Sequence, residues 1–183
     1  YEAGIPVTSL PGPAACITAL TLSGLPTRRF CFEAFLPTDK KERQWILEEL
    51  KQETRTMIVY EAPHHLVRTL EELGAALGME RRLTLCRELT KRYEEAYQAT
   101  FAEALQRFET EEPKGECVIV IEGRSIEDLK REQQKSWEEM SLEDHMEVYL
   151  TQGMDRKEAM KKVAKDRGIS KRDVYQGLME RDE

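Results

Sequence analysis

The sequence predicts an α/β fold: a mixed sheet flanked by helices, followed by a small all-α tail of helix-turn-helix type. Three observations predict it. Short runs rich in β-branched and aromatic residues alternate with longer segments whose apolar residues recur at helical spacing. The runs Thr56 to Tyr60 and Cys117 to Ile121 are apolar on both faces, as in a sheet covered on both sides. After Gly123 the strand signals stop, and charged segments with helix caps follow.

In chain order, Ile5 to Leu10 suit a short strand that Pro11-Gly12-Pro13 turns out of. Pro13 fits the first position of a helix, where its missing N–H costs nothing, and Gly24 ends that helix. Phe30 to Leu36 is aromatic and strand-like. Lys40 to Glu53 places Trp45, Ile46, Leu47 and Leu50 on a charged helix. Thr56 to Tyr60 is a buried strand, and Glu61-Ala62-Pro63-His64 leads into a helix striped by Leu66, Leu70, Leu73 and Leu77, with Gly78 as its stop. Leu83 to Cys86 is a third sheet strand. Thr100-x-x-Glu103 has capping-box spacing and opens a helix through Phe108. Pro113 to Glu116 turn the chain into the strand Cys117 to Ile121.

Residues 124–140 read as a charged linker, or as a solvated helix. Residues 141–183 read as three helices, with Ser141-x-x-Asp144, Asp155-x-x-Glu158 and Ser170-x-x-Asp173 as caps. Within the tail, Ala164, Gly168 and Val174 have the small–turn–branched spacing of a helix-turn-helix. His145, on one of these charged helices, reads as a solvated surface residue.

The 28 basic and 35 acidic residues give a net charge of −7, which argues against wholesale wrapping of nucleic acid. One stretch departs from that balance. Arg156 to Arg172 holds eight basic residues against Glu158 and Asp166, a local charge of +6. No apolar run approaches the roughly 20 residues of a membrane helix, so a soluble, cytoplasmic protein is expected. Cys16, Cys31, Cys86 and Cys117 form no C-x-x-C pair and read as small buried hydrophobes in a reducing compartment, with no metal expected. The chain opens without Met, in the middle of what reads as a helix end, so it is expected to continue a fold begun upstream.

Three loops fall at predicted strand ends: Pro11 to Ala15, Tyr60 to His64, and Lys114 to Glu116. Ligands of open α/β proteins settle at such ends. Gly12, Ala14 and Ala15 would let a flat ligand approach the backbone. Taken alone, that loop reads first as a tight turn with close helix packing.

Together the runs Leu10-Pro11-Gly12-Pro13-Ala14-Ala15, Tyr60-Glu61-Ala62-Pro63-His64, Arg87-Glu88-Leu89-Thr90-Lys91 and Pro113-Lys114-Gly115-Glu116-Cys117-Val118 are more specific. In that order the sequence closely resembles the ribosomal RNA small-subunit methyltransferase I family, the cytidine 2′-O-methyltransferases of the tetrapyrrole (corrin/porphyrin) methylase superfamily. The resemblance runs from about Ile5 to Gly123, and the tail is similar to an appendage that many members carry.

The resemblance implies two α/β domains with S-adenosylmethionine between them. Residues 1–27 would be the last strand and helix of the first domain, and residues 28–123 the second. The Gly-Asn loop and Asp-x-Gly-x-Pro segment of the first domain are not in this sequence. The chain alone is therefore expected to be inactive and to bind the cofactor weakly. By the same resemblance Pro11, Gly12, Pro13, Ala14, Ala15, Tyr60, Glu61, Ala62, Gly115, Glu116 and Cys117 would line S-adenosylmethionine. The reaction implied is 2′-O-methylation of a cytidine ribose in small-subunit ribosomal RNA. The partners implied are that RNA and the small ribosomal subunit, with a homodimer as one assembly open to the chain. Members usually carry Arg after the His of the Glu-x-Pro-His run. This sequence has His65, so a phosphate-holding role for that Arg does not transfer.

Methyl transfer to a hydroxyl needs alignment and a route for the proton. Glu61, His64 and Glu88 are the candidate acceptors. Each has a structural alternative: a helix cap, a packed turn residue, and a partner for Arg87 or Lys91, respectively. In the tail, Lys161, Lys162, Lys165, Arg167, Lys171 and Arg172 are candidates for RNA phosphate contact, set against a solvated face on a mini-bundle. Two rival functions remain at this point: methylation of a small tetrapyrrole ring, and a ligand-sensing helix-turn-helix regulator.

Overall fold

The computed structural model describes residues 2–179. The chain divides into two compact units, the first running to Arg124 and the second starting at Ser125.

The first unit is a five-stranded mixed sheet: β1 (Phe30–Phe35), β2 (Thr56–Glu61), β3 (Arg82–Arg87), β4 (Glu95–Thr100) and β5 (Cys117–Ile121), in the order β1-β2-β5-β3-β4. Only β1 and β2 are parallel. A parallel pair needs a crossover. Here α2 (Lys40–Leu50) supplies it, its first turn capped by Asp39, which accepts from the amides of Lys41 and Glu42. Side-chain alternation then sorts the strand residues between two faces. Met57 and Val59, Leu83 and Leu85, and Ile119 and Ile121 meet α2, α3 (Pro63–Leu77) and α4 (Phe101–Phe108). Ile58, Cys86, Val118 and Val120 face α1 (Ala15–Leu22). The Thr100–Glu103 capping box at α4 forms as its spacing predicts.

Two expectations for this unit change. Residues 5–10 form no strand, because no ladder partner lies beside them among the described residues; Ile5, Val7 and Leu10 are exposed. Strand β4 is an addition to the predicted strands. Its sequence, Glu-Ala-Tyr-Gln-Ala-Thr, is mostly polar because it is an edge strand held by pairing to β3. Of the cysteines, Cys86 and Cys117 are buried as expected and burial raises both thiols to about 11, whereas Cys16 and Cys31 are half-buried.

The second unit holds α5 (Ile126–Glu139), α6 (Leu142–Thr151), α7 (Arg156–Arg167) and α8 (Lys171–Met179). Ser141, Asp155 and Ser170 accept the amides of Asp144, Glu158 and Asp173, as the cap spacing predicts. Val163, Ala164 and Val174 are in its core with Met146 and Tyr149. Residues 180–183, the end of the predicted tail, lie outside the described residues.

Of the two readings of residues 124–140, linker or solvated helix, the structure has the helix: most of the stretch is α5, which buries none of its residues and packs against α7. The reason is Trp137, whose ring stacks on His145 with centroids 4.0 Å apart and planes 5° from parallel. The reading of His145 is corrected. It is fully buried, not solvated, and Arg167 Nε donates to its Nδ1 at 3.1 Å. Burial, then the Arg167 charge, push its pKa below the ordinary 6.5.

Candidate active site

Strand register brings three of the candidate segments to one end of the sheet. Glu61 and Arg87, the last residues of β2 and β3, both pair with Cys117, the first residue of β5. Tyr60–Ala62, Arg87–Glu88 and Gly115–Cys117 are thus neighbours, although the chain separates them by up to 57 positions.

The turn before α1 reaches the same end. Ala14, at the N-cap of α1, has no side chain that can cap. Tyr60 caps the helix instead, its phenolic oxygen accepting the Cys16 amide at 2.9 Å. Burial raises the Tyr60 phenol above its usual value. Pro11, Gly12 and Pro13 are exposed, as are Ala14 and Ala15. A Cβ on Gly12 would meet no atom within 4 Å, so close packing is not what requires glycine there.

Glu61 is only 8% exposed. One carboxylate oxygen accepts the Ala62 amide at 2.8 Å, and the other accepts the Thr69 hydroxyl at 2.6 Å. Thr69 Oγ1 in turn accepts from Arg43 Nη2 at 2.7 Å, and Arg43 Nε donates to Glu72 at 2.5 Å. Burial works to raise the Glu72 carboxyl, but the bonds from Arg43 and Arg68 outweigh it and hold the group below the usual range. Sequence reading missed Arg43, Thr69 and Glu72. A signal existed for Thr69, a polar residue beside Leu66, Leu70 and Leu73 on the buried stripe of α3.

Glu88 serves the local structure. Its backbone adopts φ +49, its amide donates to the Glu116 carbonyl, and its carboxylate accepts the Glu116 amide at 3.1 Å and Lys91 Nζ at 3.2 Å. The Glu116 amide, then Lys91, hold the Glu88 carboxyl below the usual range, which makes it a poorer base. Gly115, at φ +79, is required here: a Cβ would lie 2.5 Å from Glu88 side-chain atoms. His64 is exposed at the first turn of α3, its ring 4.1 Å from that of His65, and no hydrogen bond engages its nitrogens among the described residues.

The basic candidates all belong to the second unit. Lys161, Lys162, Lys165, Lys171 and Arg172 are exposed. Arg167 differs from them. Its guanidinium is turned inward, donating to His145 and to the carbonyls of Met140 and Ser141 at 2.5 and 2.8 Å. No helix among the described residues is long and apolar enough to cross a membrane.

The chain is similar to several curated proteins. Those named Ribosomal RNA small subunit methyltransferase I from Halalkalibacterium halodurans, Synechocystis sp. and Bacillus subtilis are 44%, 42% and 41% identical over 94%, 98% and 92% of this chain. The matches span 58%, 62% and 57% of those proteins, so the chain covers less than two thirds of their length. A family model described as Tetrapyrrole (Corrin/Porphyrin) Methylases matches residues 1–105, which include α1, β1 to β4 and the loops at Tyr60 and Glu88. That match covers more than half of the chain, and the chain belongs to the tetrapyrrole (corrin/porphyrin) methylase family.

Proposed function

We propose that this chain is part of an S-adenosylmethionine-dependent enzyme that methylates the 2′-hydroxyl of a cytidine ribose in small-subunit ribosomal RNA, in the cytoplasm. The observation that carries the reading is identity above 40%, over more than nine tenths of this chain, to relatives that bear that enzyme's name.

The residues at the sheet end fit the cofactor. Gly12 stands where nothing in the packing demands glycine, and the exposed turn around it leaves backbone open to a flat ligand. Pro11 to Ala15, Tyr60 to Ala62 and Gly115 to Cys117 would hold it. When bound, S-adenosylmethionine supplies an electrophilic methyl group on a sulfonium.

The chain's own contribution is chiefly orientation, which alone accounts for a large share of such accelerations. Glu61, tied at both oxygens, fixes the end of β2, and Glu88 fixes the 115–117 loop against it. Of the three candidate proton acceptors, His64 alone has ring nitrogens without a partner among the described residues, so the proton of the ribose hydroxyl is assigned to it. The exposed lysines of α7 and α8 hold RNA through its phosphates, and Arg167, already committed within its own unit, takes no part.

The test is a ribose-methylation map of small-subunit ribosomal RNA in cells deleted for the gene. Loss of one 2′-O-methylcytidine supports the reading. An unchanged map, with a tetrapyrrole accumulating instead, would transfer the activity to ring methylation.

A further inference from the structure

Beyond the carboxyl ends of the parallel strands β1 and β2 lies a crevice of about 400 Å³. That volume falls within the range of small-molecule sites, and ligands settle outside parallel strand ends. Its walls differ in kind. Phe35, Pro37 and Ala62 supply its apolar lining, and Phe35 is 62% exposed. Arg68 and His65, one turn apart on α3, line it too, as does Thr38.

The cationic wall is built in advance. Glu72 takes Arg68 Nε at 2.9 Å and Arg43 Nε on its other oxygen, which holds two guanidiniums side by side. Arg43 is engaged at all three nitrogens: it also bonds Thr69 and the Pro37 carbonyl. Arg68 is not. Its two terminal nitrogens have no acceptor among the described residues, and its side chain is 68% accessible. The Thr38 hydroxyl and the His65 ring nitrogens are likewise without hydrogen-bond partners among the described residues. Glu61 carries the opposite charge into the crevice, but it is only 8% exposed and each of its oxygens already accepts a bond.

Apolar lining together with unfilled guanidinium, imidazole and hydroxyl donors suits one nucleotide, the base on the apolar residues and the phosphate on the donors. Single-stranded nucleic acids are held by that pairing of ring surface with fixed cations. We infer that this crevice is a nucleotide subsite for the RNA strand, with Arg68 and Thr38 on a phosphate, His65 at the rim, and Phe35 and Pro37 against the base. This rests on the reading of the substrate as RNA, and it assigns to Arg68 a contact outside the loops that would line the cofactor.

The experiment is an amide-resolved NMR titration of the chain with cytidine 5′-monophosphate, with cytidine, and with S-adenosylhomocysteine. The monophosphate should shift amides at positions 36–38 and 62–69, and removing its phosphate should weaken binding about tenfold, the scale of one charge-assisted contact. Arg68→Gln, on an exposed side chain, should cause the same tenfold loss. His65→Arg should tighten binding several-fold by adding a fixed cation at the rim. Equal binding of cytidine and its monophosphate would overturn the inference, as would no shifts at those positions or an unaffected Arg68→Gln. Stronger shifts there from S-adenosylhomocysteine would overturn it too, making the crevice part of the cofactor site. The methylation map reads the enzyme's substrate separately: a nucleotide bound in the crevice with no lost ribose methylation would sink the proposed function and leave the subsite standing.

Discussion

The Cys16 amide, in the first turn of α1, donates to the phenolic oxygen of Tyr60 at the end of β2, 44 positions away and 2.9 Å distant. A helix whose own N-cap is alanine thus borrows its cap from the sheet.

Removing that oxygen tests the relationship. Tyr60→Phe keeps the ring against Phe32 and Phe35 but leaves the amide without a partner. The first unit should lose about 1 kcal/mol, the usual size of a cap or of one net hydrogen bond. Amide exchange should speed up in residues 15–18 and stay slow in β2 and β5.

Thr69 holds the middle of the chain of bonds from Glu61 to Arg43. Thr69→Val is nearly isosteric, yet it removes a donor to a carboxylate and an acceptor for a guanidinium, both mostly buried. A loss of roughly 1–3 kcal/mol in denaturant unfolding is expected. A change below the error of the measurement would show that water replaces the hydroxyl in both bonds.

Gly115 is constrained twice, by its φ of +79 and by Glu88. Gly115→Ala should cost roughly 1–3 kcal/mol. Adding Glu88→Ala should recover only part of it, since the collision goes but the backbone strain stays. Full recovery in the double-mutant cycle would leave no share for the backbone.

The second unit should weaken as pH falls below 6.5. His145 is buried and its folded pKa is depressed, so between that depressed value and 6.5 the unfolded chain binds the extra proton. Stability is then fully present above the unfolded pKa and is lost as pH drops through the window. Tryptophan fluorescence of Trp137, stacked on His145, should report this loss. His145→Phe should flatten the pH dependence across that window while lowering stability overall.

The basic stretch gives a salt-dependence test in RNA binding by the protein. Changing Lys161, Lys162, Lys165 and Lys171 to Ala should reduce the slope of log affinity against log salt by roughly three to four if all four meet phosphates of duplex RNA. Arg167→Ala should act differently, by unfolding the second unit, because its guanidinium ties α7 to the end of α5 and the start of α6. An unchanged slope in the quadruple variant would return the stretch to a solvated face.

The sequence by itself determined the α/β class, four of the five strands, and, α5 apart, the helices that carry a capping residue or an apolar stripe. Those features are local: Thr100 caps Glu103 three positions away, and Leu66, Leu70 and Leu73 share a face through helical spacing alone. The family was legible as well, because its turn motifs are contiguous. Tertiary structure decided the rest, wherever the partner lies far along the chain. Polar β4 becomes a strand only because β3 offers it a ladder, and residues 5–10, apolar enough for a strand, find none. His145 looks solvated beside its charged neighbours and is buried because Trp137 covers it. Glu88 and Arg167 carry the residue types of a site and serve structural ties, while Arg43 and Thr69, unremarked in the sequence, hold Glu61. A charge states what a residue can do. Whether that capacity is already taken depends on which atoms the fold places within about 3 Å.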